Sequence, residues 1–220
     1  MAPKTDTAGS LKRRVAQSLA SAPIVGVVRT STYEEAEQQA RAFIAGGLEI
    51  IEITFTVPGA AALIRQLLQE RGADGPPWIG AGTVTDHRRA SQALTSGAEF
   101  LVTPNVSSEV AAIAREAGVF LVLGALTATE ICAARTLGAD LVKVYPLPPV
   151  GGPGYLAVIT QPLDDVPILA AGGFGAPEIP AYREAGAVAF GIGAQLLGSG
   201  DAQSQRQRIA SALAAARGDR

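Results

Sequence analysis

"SGAEFLVTPNVSSEVAAIAREAGVFLVLGALTATEICAARTLGADLVKVYP", residues 96–146, runs through one local pattern three times: a glycine, a short apolar run, a polar cap, then helix-forming residues. Gly97, Gly118 and Gly138 stand 21 and 20 residues apart. A glycine just past a helix end is expected there, because the closing residue takes a left-handed conformation that a Cβ resists. A period of that length matches one helix plus one strand, the unit of a parallel sheet.

Moving outward, the same punctuation recurs at Gly46 before "LEIIEITF" and at Gly186 before "AVAFGIG". The intervals to the central block, 51 and 48 residues, each leave room for two more units. Strands are therefore expected near 24–29, 49–55, 78–84, 100–104, 119–125, 141–146, 167–173 and 187–193. Helices fill the gaps from caps at Ser31/Thr32, Asp86, Ser107 and Thr127, with an extra helix before the first strand and a last one near 202–217. Near-continuous apolar strands suit a parallel sheet covered on both faces, and eight units suit closure into an α/β barrel of the (β/α)8, or TIM, type. An open doubly wound sheet is the rival. It usually carries a glycine-rich first turn, and "RTSTYEEA" has no glycine. The chain reads as a polar tail over residues 1–10, expected to be disordered, followed by one domain over 11–220.

Composition narrows the function. The 220 residues are 48% hydrophobic with a formal charge of -2, and no Lys/Arg-rich block occurs, so nucleic acid and acidic membrane surfaces are not expected partners. No run of about 18 apolar residues is present and the start lacks the apolar segment of a secretion signal, so a cytoplasmic protein is expected. Cys132 is the single cysteine and is expected to be a small buried thiol. His87, the single histidine, follows a helix-capping Asp86 and is expected to face solvent. No metal-ligand set is evident, and the same lack of a placed histidine argues against a serine-type triad.

The third of three lysines, Lys143, sits in the apolar run "LVKVYP". Side chains alternate along a strand, so Leu141, Lys143 and Tyr145 share a face opposite the apolar Val142 and Val144, and that face points into the barrel. In the second strand Ile50, Glu52, Thr54 and Thr56 likewise oppose Ile51, Ile53 and Phe55. Both polar residues lie toward the C-terminal ends of their strands, where such barrels carry chemistry. An internal ion pair is one reading. The other is catalytic: a desolvated lysine amine adds to a carbonyl, and a carboxylate nearby moves the protons.

"IVGVVR", "IIEITFTVPGA", "IGAGTV", "FLVTPNV", "LVKVYP" followed by "GGPGYL", "AAGGFG" and "FGIGAQLL" occur in this order over about residues 20 to 200. Together they resemble the class I pyruvate aldolases of the 2-keto-3-deoxy-6-phosphogluconate / 4-hydroxy-2-oxoglutarate aldolase family. The resemblance implies a cofactor- and metal-independent homotrimer of barrels that cleaves a 2-keto-4-hydroxy acid to pyruvate and an aldehyde. It implies Lys143 as Schiff-base nucleophile, Glu52 as general acid/base, Thr83 as a ligand of the pyruvyl carboxylate, and Pro104 and Tyr145 as walls. Backbone amides at Gly172, Gly173, Gly193 and Ala194 are candidates for a phosphate. The chain departs from the best-known members where Thr56 replaces an arginine, Ala171 a threonine and Ala194 a serine. Arg29 is the residue able to supply charge to a carboxylate or phosphate. A barrel of this fold that binds a phosphorylated or keto-acid ligand without turnover is the alternative.

Overall fold

A computed structural model describes residues 7–72 and 75–219. Among them, strands β1 (Ile24–Val28), β2 (Ile50–Thr54), β3 (Trp78–Gly82), β4 (Phe100–Val102), β5 (Phe120–Ala125), β6 (Leu141–Val144), β7 (Ile168–Ala171) and β8 (Ala187–Ile192) form a closed barrel in chain order. Every pairing is parallel, and β1 closes on β8 through Ile24↔Phe190 to Gly26↔Ile192. Closure excludes the open doubly wound sheet. Helix α1 (Thr7–Ser21) precedes β1, and α2 (Tyr33–Ala45), α3 (Ala60–Arg71), α4 (His87–Thr95), α5 (Ser108–Ala117), α6 (Ala128–Thr136), α7 (Gly152–Thr160), α8 (Ile179–Glu184) and α9 (Ala202–Arg217) follow the strands in turn. Residues 1–6 of the expected tail lie outside the described residues; α1 already begins at Thr7, ahead of the expected boundary at residue 11.

The expected caps close their helices. Thr32, Asp86, Ser107 and Thr127 each accept a hydrogen bond from a backbone N–H three residues on. One glycine differs from expectation. Gly97, Gly118, Gly138 and Gly186 all have φ between 67° and 99°, but after α2 the left-handed residue is Gly47, at 91°. Gly46 is right-handed, and its lack of a side chain serves packing: a Cβ there would lie 2.1 Å from the Ile209 side chain of α9.

Alternation along the strands divides the core in two. Ile51, Ile53, Val142 and Val144 join the layer between sheet and helices, whereas Val25, Ile50, Trp78, Phe100, Phe120, Leu141 and Leu169 fill the barrel. Val15 and Leu19 of α1 belong to that inner cluster, and Trp78 Nε1 donates to Ser18 Oγ at 2.9 Å. Helix α1 therefore seals the N-terminal mouth, and access to the interior is left to the opposite end. The strands also stop one to two residues short of several expected ends. Arg29, Thr56, Thr83, Pro104 and Tyr145 lie past the last regular ladder, where single bonds such as Val84 N to Val102 O carry the pairing onward. Cys132 corrects an expectation: it is exposed, because α6 turns Ile131 and Ala134 inward and places the intervening thiol outside. His87 is exposed as expected.

Candidate active site

Strands β2 and β6 lie four places apart in a closed eight-strand order, so their inward residues face each other across the barrel. Glu52 occupies the middle of β2, in register with Val27 and Gly80. It is 2% exposed, and its Oε1 has no hydrogen-bond partner among the described residues. Lys143, in register with Gly124 and Leu169, is 6% exposed. Its Nζ stands 5.2 Å from the centre of the Tyr145 ring, within cation–π range. No ion pair joins Lys143 to Glu52.

That contrasts with how the barrel treats a charge used for structure. Near the N-terminal end, Arg71 Nη1 bonds Glu99 Oε2 at 2.8 Å, the same carboxylate oxygen accepts Ile79 N, and the Arg71 guanidinium lies over Trp78 at 5.6 Å. A buried ion is tolerable when paired, as these two are, although Arg71 Nε itself has no hydrogen-bond partner among the described residues. Glu52 and Lys143 are buried without an ion pair to each other, and Glu52 Oε1 has no hydrogen-bond partner among the described residues.

Glycines make the inner geometry possible. A Cβ on Gly82 would fall 1.9 Å from Glu52 Oε1, and one on Gly124, beside Lys143, would fall 2.3 Å from the Pro104 carbonyl carbon. Thr103 Oγ1 accepts Gly124 N at 3.0 Å and donates to Asn105 O at 2.5 Å, tying the end of β4 to β5. Gly172, with φ 136°, lets the turn after β7 approach Leu147 N, which a Cβ would meet at 2.7 Å. That turn is anchored beneath by Phe174 against Tyr182, ring centres 4.2 Å apart. Burial raises the Tyr182 phenol above its ordinary pKa, and Glu178 pushes the same way.

At the mouth, Arg29 Nη1 donates to Thr56 Oγ1 at 3.3 Å and Arg29 Nη2 to Thr83 Oγ1 at 3.1 Å. Thr56 Oγ1 lies 2.9 Å from Thr54 Oγ1, which donates to Val28 O. Thr83 was expected within a strand; it lies beyond β3 with φ 56°, the single non-glycine residue at positive φ among those described. Its carbonyl accepts Arg89 Nη1 at 3.3 Å, so the strained residue is held from both sides.

A cavity of about 320 Å³ opens here. Arg29, Lys143, Tyr145, Gly172, Gly173, Gly193 and Ala194 line it, together with Val27, Ala171, Gly191 and Gln195. Thr56 and Thr83 join through Arg29, and Glu52 does not line the cavity. Pro104 does not line the cavity and instead packs under Gly124. Sequence reasoning passed over Thr54 and Gln195. The inward face shared with Glu52 pointed to Thr54; nothing marked Gln195. A larger groove of about 840 Å³ lies outside the barrel, along α9, and contains neither Lys143 nor Glu52. Among the described residues no three His, Cys, Asp or Glu side chains converge, and no helix is long and apolar enough to cross a membrane.

Comparison with known proteins gives the chain's family. The family model described as KDPG and KHG aldolase matches residues 15–211. The 2-dehydro-3-deoxy-phosphogluconate aldolase of Treponema pallidum is 34% identical over 157 residues, covering 71% of this chain and 73% of that protein. The probable 2-dehydro-3-deoxy-6-phosphogalactonate aldolase of Rhizobium meliloti is 31% identical over 88% of this chain and 91% of its own length. The crystal structure of the Zymomonas mobilis ZM4 2-keto-3-deoxy-6-phosphogluconate aldolase superposes with a TM-score of 0.79 at 25% identity, covering 92% and 96% of the two chains. The chain belongs to the KDPG and KHG aldolase family and is an aldolase, a carbon–carbon lyase.

Proposed function

We propose that the chain cleaves a 2-keto-4-hydroxy acid to pyruvate and an aldehyde through a Schiff base on Lys143, with Glu52 moving the protons. The observation that carries this reading is a buried lysine and a buried carboxylate on opposite strands, each without an ion-pair partner, below a mouth bearing an arginine. The neutral Lys143 amine adds to the C2 ketone, and loss of water gives an iminium. Its nitrogen accepts the electron pair of the C3–C4 bond as that bond breaks. Glu52, directly or through a water, takes the C4 hydroxyl proton as the aldehyde leaves, then returns a proton to C3 of the enamine. Hydrolysis of the resulting iminium frees pyruvate and the amine. Thr83 would hold the pyruvyl carboxylate, and Tyr145 and Pro104 would shape the wall and its support. The relatives' names put the phosphorylated 2-keto-3-deoxy sugar acids and 4-hydroxy-2-oxoglutarate forward as candidate substrates.

A cytoplasmic homotrimer acting without metal or cofactor completes the proposal, supported by family membership. Borohydride reduction in the presence of pyruvate tests the chemistry. A stable adduct should map to the peptide carrying Lys143; an adduct elsewhere, or none from neutral to mildly alkaline pH, would overturn it. Light scattering of the purified chain should return three times the mass of one protomer.

A further inference from the structure

We propose that the aromatic ring of Tyr145 binds the positive charge that forms on Lys143, favouring the iminium over the ammonium form of the free lysine. This rests on the Schiff-base reading above and adds a group to its chemistry.

Lys143 and Tyr145 stand two residues apart, so they share a face, and both line the cavity. Lys143 Nζ lies 5.2 Å from the ring centre, inside the distance of about 6 Å at which a ring face attracts a cation. The backbone that carries the ring is fixed from two sides. Tyr145 N donates to Ala125 O of β5 at 3.1 Å, and Leu147 N donates to Ala171 O of β7 at 3.1 Å. Gly172 closes on the same segment, where a Cβ would stand 3.0 Å from Pro146 Cα and 2.7 Å from Leu147 N. The ring is thus held beside the nucleophile by both neighbouring strands.

The side chains around the cavity offer a cation little else. They include the cationic Arg29 and Lys143 and no carboxylate. None of the ion pairs among the described residues includes Lys143. Lys143 is buried, and removal from water strengthens the attraction between a cation and a ring face. A carboxylate in the same place would hold the ammonium firmly and leave little neutral amine to attack a ketone. A ring attracts less and selects by shape. The ammonium is compact and strongly hydrated; the iminium is planar with one N–H, like the weakly hydrated guanidinium that stacks on aromatic faces. In the step itself Nζ bonds to C2 and the C2–O bond breaks. The oxygen leaves as water with one proton from the amine and one from solvent, and the nitrogen keeps one hydrogen and the charge that the ring faces.

Ring electron density is a variable to which a mere wall is indifferent. Tyr145→Phe, and phenylalanines carrying one, two and three ring fluorines placed at position 145 of the full chain, change the charge of the ring face and nearly preserve its shape. The readout is calorimetric affinity for pyruvate, with borohydride reduction and peptide mapping to verify the Lys143 adduct. Tyr145→Phe should bind within about twofold of the parent chain. Each added fluorine should weaken binding, log Kd rising linearly to a total loss on the order of threefold to thirtyfold, and Tyr145→Leu should lose a similar amount. Tyr145 is 41% exposed, so these changes do not threaten the fold. Packing alone gives the opposite trend, because fluorination makes the ring more apolar. Affinity that stayed level or tightened along the series would overturn the inference and leave Tyr145 as a wall. The parent reading fails separately: no Lys143 adduct in the unsubstituted chain would remove the Schiff base, whereas a normal adduct across a level series would remove only the ring's part in it.

Discussion

Gly82 makes the space that Glu52 occupies: a Cβ on the glycine would lie 1.9 Å from Glu52 Oε1 and 2.5 Å from its carboxyl carbon. The two are on neighbouring strands, one pleat apart, since Glu52 pairs with Gly80 and Thr54 with Gly82. The absence of a side chain at one position thus sets the position of a carboxylate at the other.

Gly82→Ala should therefore act as a Glu52 variant. A displacement on the order of 1 Å at a proton-transfer group costs about 100-fold, whereas overpacking one methyl costs about 1–3 kcal/mol of stability. Exchange of the pyruvate methyl protons, followed by NMR, isolates the step assigned to Glu52. Glu52→Gln and Gly82→Ala should both slow that exchange, with both chains still folding cooperatively. Normal exchange in Glu52→Gln would remove Glu52 from the mechanism.

Lys143→Met separates chemistry from architecture. If the lysine served a structural ion pair, removing it would strand a buried carboxylate and lower stability by about 3–5 kcal/mol. No such pair exists, and burying a polar group without one is costly. An apolar side chain of similar length should leave stability unchanged or raise it by roughly 1 kcal/mol while abolishing the adduct and cleavage. Thermal unfolding and trapping, measured on the same preparation, give the two answers. A large fall in the unfolding midpoint would support the structural alternative.

Much of this was legible before any coordinates, for a physical reason. Periods of 20 and 2 residues survive in a chain whose strands are buried on both faces and whose helices end on glycine, so the eight strands, the four caps and the inward direction of Lys143 and Glu52 all follow from pattern. What pattern does not carry is the departure from regularity at the mouth. Thr83 reads as a β-branched strand residue and sits at φ 56°, because the loop that ends β3 is held by Arg29 and Arg89, residues distant in sequence or on the next helix. Pro104 reads as a wall and is a support, since the carbonyl it presents to Gly124 depends on the register of two strands. Gln195 has no sequence signal, because its place depends on how the turn after β8 folds back.

The strain at Thr83 predicts an inverted order of stability. At an ordinary φ, glycine is less stable than alanine because of the freedom it has in the unfolded chain; at positive φ the order reverses. Thr83→Gly should be more stable than Thr83→Ala by about 1 kcal/mol in denaturant unfolding. Both variants lose the hydroxyl that meets Arg29, so both should lose activity on the keto acid to a similar extent. Alanine more stable than glycine would mean that the backbone there is not strained.

Acid should loosen the start of α6 through Glu130. Its carboxylate accepts Thr127 N at 2.8 Å and Leu126 N at 3.0 Å, with the Thr127 hydroxyl at 2.9 Å, while Thr127 Oγ1 caps Glu130 N. These bonds, the Thr127 backbone N–H first, hold the carboxyl below its ordinary value of 4.5. A folded-state value below the unfolded one means that the group stabilises the fold above the unfolded pKa, and that this contribution disappears as pH falls through the folded value. Because Glu130 is exposed, the contribution is small, a few tenths to about 1 kcal/mol, and salt weakens it. Glu130→Gln should thus be less stable than the parent chain near neutrality, and the gap should close as pH falls through the folded-state value of Glu130, which lies below 4.5. Denaturant titrations of the two chains across that range measure the difference directly. A gap that stayed constant with pH would mean that the carboxylate's charge contributes nothing to the cap, and that the amide fails only as a poorer acceptor for the two backbone donors.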